Sequence, residues 1–247
     1  MQSLYVNGFE YIYDEMYKTF INYRDEYDFY SKIIKSYAKN NLLEIGCGSG
    51  NLAKLFIESS INYSGLDLSH DMIALSKKKN PKGDFIQGDI TNFKLYKKVD
   101  SIIITGRTSS YLLTNNDVYN ALNSIANAIE KGGILCFDFI DANRFFSIIK
   151  NGKQMRHQAH VNHEIYYRDS HMKPNKELNN FMFDWDSIYY KNDKHESNIV
   201  TKDIATVRAF TKDEWRLFLE LSNFELLEFI DRKSYAFDTY VVVAKKR

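Results

Sequence analysis

Proline is nearly absent from this chain, with two in 247 residues, and cysteine is as scarce, with two. So few cysteines exclude a disulfide scaffold, and Cys47 and Cys136 lack the paired spacing of a metal site. No stretch approaches the ~20 apolar residues that span a bilayer, so no membrane partner is expected. Charge of one sign is missing too: 33 basic against 32 acidic residues leave a formal +1, which excludes a global field that gathers nucleic acid. Met1 to Tyr5 lacks the charged and apolar regions of an export signal, so a cytoplasmic setting with reduced thiols is expected. Lys245-Lys246-Arg247 reads as a solvated tail, and no repeat or low-complexity tract interrupts the chain. What the chain has in abundance is aromatics, with 18 Tyr and 17 Phe. Tyrosine brings an apolar ring and a hydroxyl that needs a partner, which suits both amphipathic core filling and a polar, aromatic-lined cleft.

The densest local signal is Leu42-Leu43-Glu44-Ile45-Gly46-Cys47-Gly48-Ser49-Gly50, followed by helix-forming Asn51 to Phe56. An apolar run breaks into alternate glycines and then a helix, which is a strand, a tight turn and a helix start. Glycines belong there because a chain without Cβ turns sharply and lets a ligand lie against its backbone. Gly48 to Ala53 also satisfies G-x-G-x-x-A, a dinucleotide fingerprint. Glu44 argues against a pyrophosphate, which its charge would repel, and for a cationic amino-acid moiety. The next strand, Tyr63 to Asp67, ends in an acid 19 residues after Gly48, suited to accept from two ribose hydroxyls. A third, Asp84 to Gln87, runs into Gly88-Asp89-Ile90, whose acid can accept an adenine amino group.

Together, Glu44-x-Gly46-x-Gly48-x-Gly50, Gly65-Leu66-Asp67-Leu68-Ser69 and Gln87-Gly88-Asp89-Ile90 resemble the three cofactor motifs of class I S-adenosylmethionine-dependent methyltransferases, over about residues 40 to 141. The resemblance implies that the loop through Gly46, Cys47, Gly48 and Gly50 passes the methionine end beside Glu44. It also implies that Asp67 binds the ribose, that Asp89 and Ile90 frame the adenine, and that Leu68 and Met72 pack on its faces. S-adenosylmethionine is therefore the expected cofactor, with an NAD-dependent oxidoreductase and a catalytically silent binding module as alternatives.

Alternating strands and helices through residue 149 predict an α/β fold: a Rossmann-like, seven-stranded, mostly parallel sheet with helices on both faces. The elements are helix 24–38, strand 42–46, helix 50–58, strand 62–66, helix 70–78, strands 84–87 and 100–105, helix 115–130 stopped by Lys131-Gly132-Gly133, strand 133–140 and a helical turn from Asn143. Residues 153 to 209 lose the helical period. Runs such as His163 to Arg168 and Phe181 to Tyr190, with turns at His171 to Glu177 and Lys191 to Asn198, predict an inserted antiparallel sheet covering the active site. Thr211 with Glu214 marks a capped helix, and Phe224 to Asp231 and Thr239 to Ala244 read as a closing strand pair. The expected organisation is thus 1–150 as cofactor-binding core with an N-terminal lid helix, 151–209 as substrate cover, and 210–247 completing the sheet.

The acceptor side is less defined. The turn Thr105 to Tyr111 lacks the Asp/Asn-Pro-Pro-aromatic signature of base amino methylation, a Pro-Cys nucleophile, and a carboxylate for a magnesium site. The N-terminal Tyr11-Ile12-Tyr13-Asp14-Glu15-Met16-Tyr17 segment, Tyr111 and the insertion resemble a small-molecule subfamily that includes aminosugar N,N-dimethyltransferases. There a Tyr-Asp segment folds over the cofactor, which places Tyr13 at the cofactor, and the position of Tyr111 faces the acceptor. Histidine stands at that position in those enzymes, so a histidine base does not carry over. Tyr17 and Tyr111 are candidates to orient an amine, and Asp138 to hold an ammonium and accept its proton; packing of the lid and a helix-cap role are the competing readings. Arg107 can bind an anion or pair with Asp138 or Asp141. His157, His160 and His163 on strands would put His157 and His163 on one face, giving no metal site but leaving one histidine to handle protons. The expected partner is a small-molecule acceptor, an amine before a hydroxyl, for a monomer or homodimer without nucleic acid.

Overall fold

The computed structural model describes residues 9–59, 61–177, 181–192, 198–235 and 237–247; Met1 to Tyr5 and part of the expected turn Lys191 to Asn198 lie outside them. Two helices lead, α1 (Phe9–Lys18) and α2 (Tyr23–Ser36), the second capped by the Asn22 side chain, which accepts from the N–H groups of Arg24 and Asp25. Alternation follows: β1 (Asn41–Ile45), α3 (Asn51–Ile57), β2 (Asn62–Asp67), α4 (His70–Lys79), β3 (Asp84–Gln87), β4 (Val99–Ile104), α5 (Asn115–Ala128), β5 (Ile129–Phe139) and α6 (Ala142–Ile149). Four long strands come next, β6 (Lys153–Val161), β7 (Glu164–Pro174), β8 (Met182–Lys191) and β9 (Ile199–Arg208). The chain finishes with α7 (Lys212–Leu221), β10 (Phe224–Arg232) and β11 (Thr239–Lys246).

The main sheet runs β3-β2-β1-β4-β5-β11-β10, parallel through β5 and antiparallel at its last two strands. Strand order reverses between β1 and β4, so their carboxyl ends open the crevice in which such sheets bind ligands. β4 is buried along five of its six residues because helices cover both faces, and that is why it reads as a continuous apolar run. One face packs Val118, Leu122 and Ile125 of α5 with Trp215 and Leu219 of α7; the other packs Tyr30 and Ile34 of α2 with Leu52, Ala53 and Phe56 of α3. The expected seven-stranded architecture is borne out. Among the described residues no helix is long and apolar enough to cross a membrane.

The insertion forms a separate antiparallel sheet, β6-β7-β8-β9, seated on α6 through Phe145, Ile149, Met172, Phe183 and Val207. Asn162 (φ 51°) and His163 (φ 68°) make the two-residue turn between β6 and β7, the doubly left-handed form that suits the strands' twist. That turn corrects the histidine expectation: His163 lies in it, not on a strand face, while His157 points inward and His160 is exposed. It also sets the register that places His157 opposite Arg168.

Two further boundaries differ. β7 continues through His171 to Pro174, because those residues pair with Asp186 to Phe183 of β8. α5 ends at Ala128, and Lys131-Gly132-Gly133 lies inside β5, where left-handed Gly132 (φ 76°) accompanies a bulge against β4.

Trp215 anchors α7, its ring 4.5 Å from those of both Phe137 and Phe210. Its indole N–H is buried without a partner, so the ring contributes packing alone. Trp215→Ala is expected to cost about 3–5 kcal/mol in denaturant unfolding, and Trp215→Phe far less. Equal losses would show that the N–H matters.

Candidate active site

The site grows from the carboxyl end of β1. Gly46, Gly48 and Gly50 all take positive φ (78°, 52° and 77°). A Cβ on Gly46 would stand 2.2 Å from the Thr108 hydroxyl, so β1 and the turn after β4 meet only through glycine. At Gly48 nothing lies within 4 Å of that position, so the loop's backbone borders open space.

Three acids surround this loop. Glu44 accepts from the Tyr63 hydroxyl at 2.6 Å and the Thr105 hydroxyl at 2.8 Å, yet burial pushes its pKa up to about 7 against both bonds. Asp67, at the end of β2, accepts from the N–H groups of Gly48 at 2.8 Å and Ser69 at 2.9 Å, which aims its remaining lone pairs outward. Burial raises its pKa, and those backbone donors oppose the rise. Asp89 is held by the Thr91 N–H and hydroxyl, both at 2.8 Å on one oxygen.

One cavity of ≈ 740 Å³ joins these groups to the acceptor candidates. Its lining takes in Tyr13, Glu44, Gly46, Cys47, Gly48, Asp67, Leu68, Met72, Asp89 and Ile90 together with Tyr17, Tyr111, His157, Arg168, Trp185 and Asp203. Gly50 sits behind the loop as the N-cap of α3. Leu68 exposes 70% of its surface at the cavity's edge while Met72 is buried beneath, an unpaired apolar face suited to a planar base. The open backbone at Gly48, the anchored Asp67 and the Leu68–Met72 faces fit S-adenosylmethionine: loop for the methionine end, acid for the ribose, apolar faces for the adenine.

α1 closes over the loop. Buried Asp14 accepts from the Ser49 hydroxyl, from Asn51 at 2.7 Å and from Lys79 at 2.9 Å, and pairs with Lys18 at 2.8 Å. Burial works to raise the Asp14 pKa, but Lys18, Ser49 and Lys79 outweigh it and hold the carboxylate below its ordinary value. From this anchor the helix carries a ladder of rings: Tyr13 on Tyr17 at 3.9 Å, Tyr17 on Phe20 at 4.9 Å, and Phe20 on His157 at 4.2 Å. Sequence reasoning met Asp14 only within its Tyr-Asp segment. Lys79 gave no signal, since α4 ends in three consecutive lysines that read as a solvated last turn.

Tyr111 opens 55% of its surface in the short 3₁₀ turn after β4, and desolvation in the cavity raises its phenol pKa, with Tyr17 and Asp203 adding to the rise. Asp138 lies elsewhere: it is buried outside the cavity lining, accepts from the Arg107 N–H at 3.1 Å, and its carbonyl receives the Ser109 hydroxyl at 2.7 Å. It shapes the turn that presents Tyr111. Its pKa is pushed up to about 6 by burial, with Arg107 opposing. Arg107 is spent on the Tyr235 and Phe237 carbonyls and rings. Among the described residues no group of three His, Cys, Asp or Glu is placed to hold a metal ion.

A switch-point crevice, a glycine loop over open space and acids at or just past successive strand ends define an α/β protein with the fold of class I S-adenosylmethionine-dependent methyltransferases. Residues 42–133 match the family model described as a methyltransferase domain. A curated relative, the dTDP-3-amino-3,4,6-trideoxy-alpha-D-glucopyranose N,N-dimethyltransferase of Streptomyces venezuelae, is 30% identical over 96 residues, covering 39% of this chain and 40% of that protein. The chain spans 53 to 56% of two further curated relatives. Among solved structures, the sugar N-methyltransferase KedS8 of Streptoalloteichus superposes with a TM-score of 0.78 at 16% identity, over 100% of this chain and 97% of that one. An S-adenosylmethionine-dependent methyltransferase of Clostridium acetobutylicum does so with 0.76 at 17%, over 96% and 97%. The amino pentose methyltransferase CalS10, solved with S-adenosylmethionine bound, shares the fold with a TM-score of 0.74 at 17% identity, over 100% of both chains.

Two expectations follow for cofactor binding. An ammonium beside Glu44 favours its ionised form, so binding releases a proton and affinity for S-adenosylhomocysteine rises with pH. Between pH 6 and 8 the gain is roughly tenfold, absent for 5′-methylthioadenosine and in Glu44→Gln. A flat calorimetric profile would remove Glu44 from the ammonium. Asp67→Ala is expected to weaken cofactor binding by about 1–3 kcal/mol with the fold intact; unchanged affinity refutes the ribose role.

Proposed function

We propose that this chain is an S-adenosylmethionine-dependent methyltransferase acting on a small polar acceptor, at an amine nitrogen. The observation that carries the reading is the single cavity in which cofactor motifs and the polar groups of α1 and the covering sheet face each other. It is roofed by β6 to β9, a geometry suited to a small molecule that can be enclosed. The relatives acting on aminosugars support nitrogen as the acceptor atom.

When bound, S-adenosylmethionine supplies a methyl group on a sulfonium, already activated for in-line displacement. The protein's task is then to position, desolvate and manage one proton. The acceptor amine must be neutral for its lone pair to form the new N–C bond as the C–S electrons return to sulfur. Tyr17 and Tyr111 orient it, and the raised pKa keeps the Tyr111 phenol protonated, a hydrogen-bond partner and not a base. His157 suits proton acceptance: desolvation, then the nearby Arg168 charge, lower its pKa and keep the imidazole neutral. Asp138, enclosed behind the turn, acts through the shape of that turn.

Formation of S-adenosylhomocysteine with a panel of amines and hydroxy compounds tests the reading. Turnover with hydroxyl acceptors alone moves the transfer to oxygen, and cofactor binding with no turnover across the panel favours the silent binding module. Tyr111→Phe is expected to lower kcat by roughly tenfold or more with cofactor affinity unchanged. The reverse pattern would move Tyr111 to the cofactor lid.

A further inference from the structure

The inner face of the covering sheet is chemically uneven. Pairing aligns His157, Arg168, Tyr189 and Thr201 in one row and Met155, Ser170, Ser187 and Asp203 in the next. Ser170 and Ser187 satisfy each other at 2.8 Å. Arg168 does not find such a partner. It is 4% exposed and lines the cavity; among the described residues its side chain makes no hydrogen bond or ion pair, and its Nε is buried without a partner.

Other buried and half-buried arginines differ. Arg208, on the same sheet, pairs with Glu214 at 2.7 Å and reaches the Leu113 carbonyl, Arg232 forks onto Glu26 with two bonds of 2.9 Å, and Arg107 holds two carbonyls. Around Arg168 stand ring faces, Tyr17 at 5.5 Å and Trp185 and Tyr189 at 5.7 Å, with His157 opposite it in the pairing. Two of those rings add buried polar groups without partners, the Trp185 indole N–H and the Tyr189 hydroxyl. Asp203 acts on Arg168 through space alone, and its own pKa is pushed up to about 6 by burial against that attraction. A desolvated guanidinium surrounded by unused donors is unfavourable unless something brings an acceptor to it.

We propose that Arg168 is the oxyanion-binding residue of the acceptor half, so that the molecule methylated carries a carboxylate or phosphate group beside its amine. The inference rests on the methyltransferase reading above. A planar guanidinium takes either oxyanion bidentately, and the flanking rings fix its plane without competing for its N–H groups. Asp203 beside it leaves room for the opposite charge, so the site matches a molecule with an anionic end and an amine end. The bland assignment, a buried arginine held for packing, leaves the unused donors without a purpose.

The test uses the full chain loaded with S-adenosylhomocysteine; if the wild type does not take up that ligand, the methyltransferase reading itself has failed. On loaded protein, inorganic phosphate and acetate are titrated at constant ionic strength against chloride while Tm is followed. One oxyanion is expected to raise Tm by a few degrees in the wild type, less in Arg168→Lys, and not at all in Arg168→Met; which one responds separates phosphate-bearing from carboxylate-bearing acceptors. The lysine variant keeps the test valid if the methionine variant does not fold. No response beyond chloride in the wild type, or an equal response in the variants, overturns the proposal. So does a selective loss of S-adenosylhomocysteine affinity over 5′-methylthioadenosine in Arg168→Lys, which would assign the anion to the cofactor's own carboxylate.

Discussion

The knot around Asp14 is the interaction on which the site depends. A single buried carboxylate gathers a serine and an asparagine flanking Gly50, a lysine from the end of α4 and a lysine one turn along its own helix. A lone buried charge would be costly; four partners reverse the sign, and its depressed pKa records the outcome. Because Ser49 and Asn51 belong to the turn that faces the cofactor, the knot fixes the lid to the loop itself. The ring ladder from Tyr13 to His157 then transmits that position to the covering sheet. Without Asp14 the lid helix would lose its anchor to the loop, while the covering sheet keeps its seat on α6.

Three other acids carry the opposite electrostatics. Glu44, Asp138 and Asp203 all have pKa values raised by burial, because their partners are too few or too distant to compensate. Asp138 is satisfied by backbone and helps define a turn. Glu44 and Asp203 face the cavity, where a cationic group can complete them. Arg168 is the same situation with the sign changed. Among the described residues the cavity therefore holds acids and an arginine that no hydrogen-bonded ion pair neutralises, a pattern that selects ligands by charge arrangement as much as by shape.

The cofactor half was legible in the sequence because its chemistry is local. Gly46 to Gly50, Asp67 and Asp89 each end a strand, and a parallel sheet with regular crossovers brings consecutive strand ends to one edge whatever the rest of the chain does. The seven-stranded, mostly parallel sheet followed from the same alternation, while its strand order came only from the structure. Element ends were less legible. β7 runs past His171 because β8 is there to pair with it, a fact about a neighbour fifteen residues away. The glycines at 132 and 133 read as a helix stop, since a strand bulge and a C-cap use the same residue for the same left-handed backbone.

The acceptor half was illegible for a different reason. His157, Arg168 and Tyr189 form one row only after a two-residue turn sets the register of β6 on β7 and a second connection sets β8. Shifting either pairing by one residue would turn that row away from the cavity. A strand pattern of period two says which residues share a face but not which face meets a ligand, and here the inward face carries an arginine, two serines and an aspartate where the pattern alone would ask for apolar residues. Such polar residues on a buried face look like errors of patterning until the cavity beneath is seen. Arg168 is the limiting case: its burial contradicts its residue type, no acceptor among the described residues resolves the contradiction, and the oxyanion proposed above would.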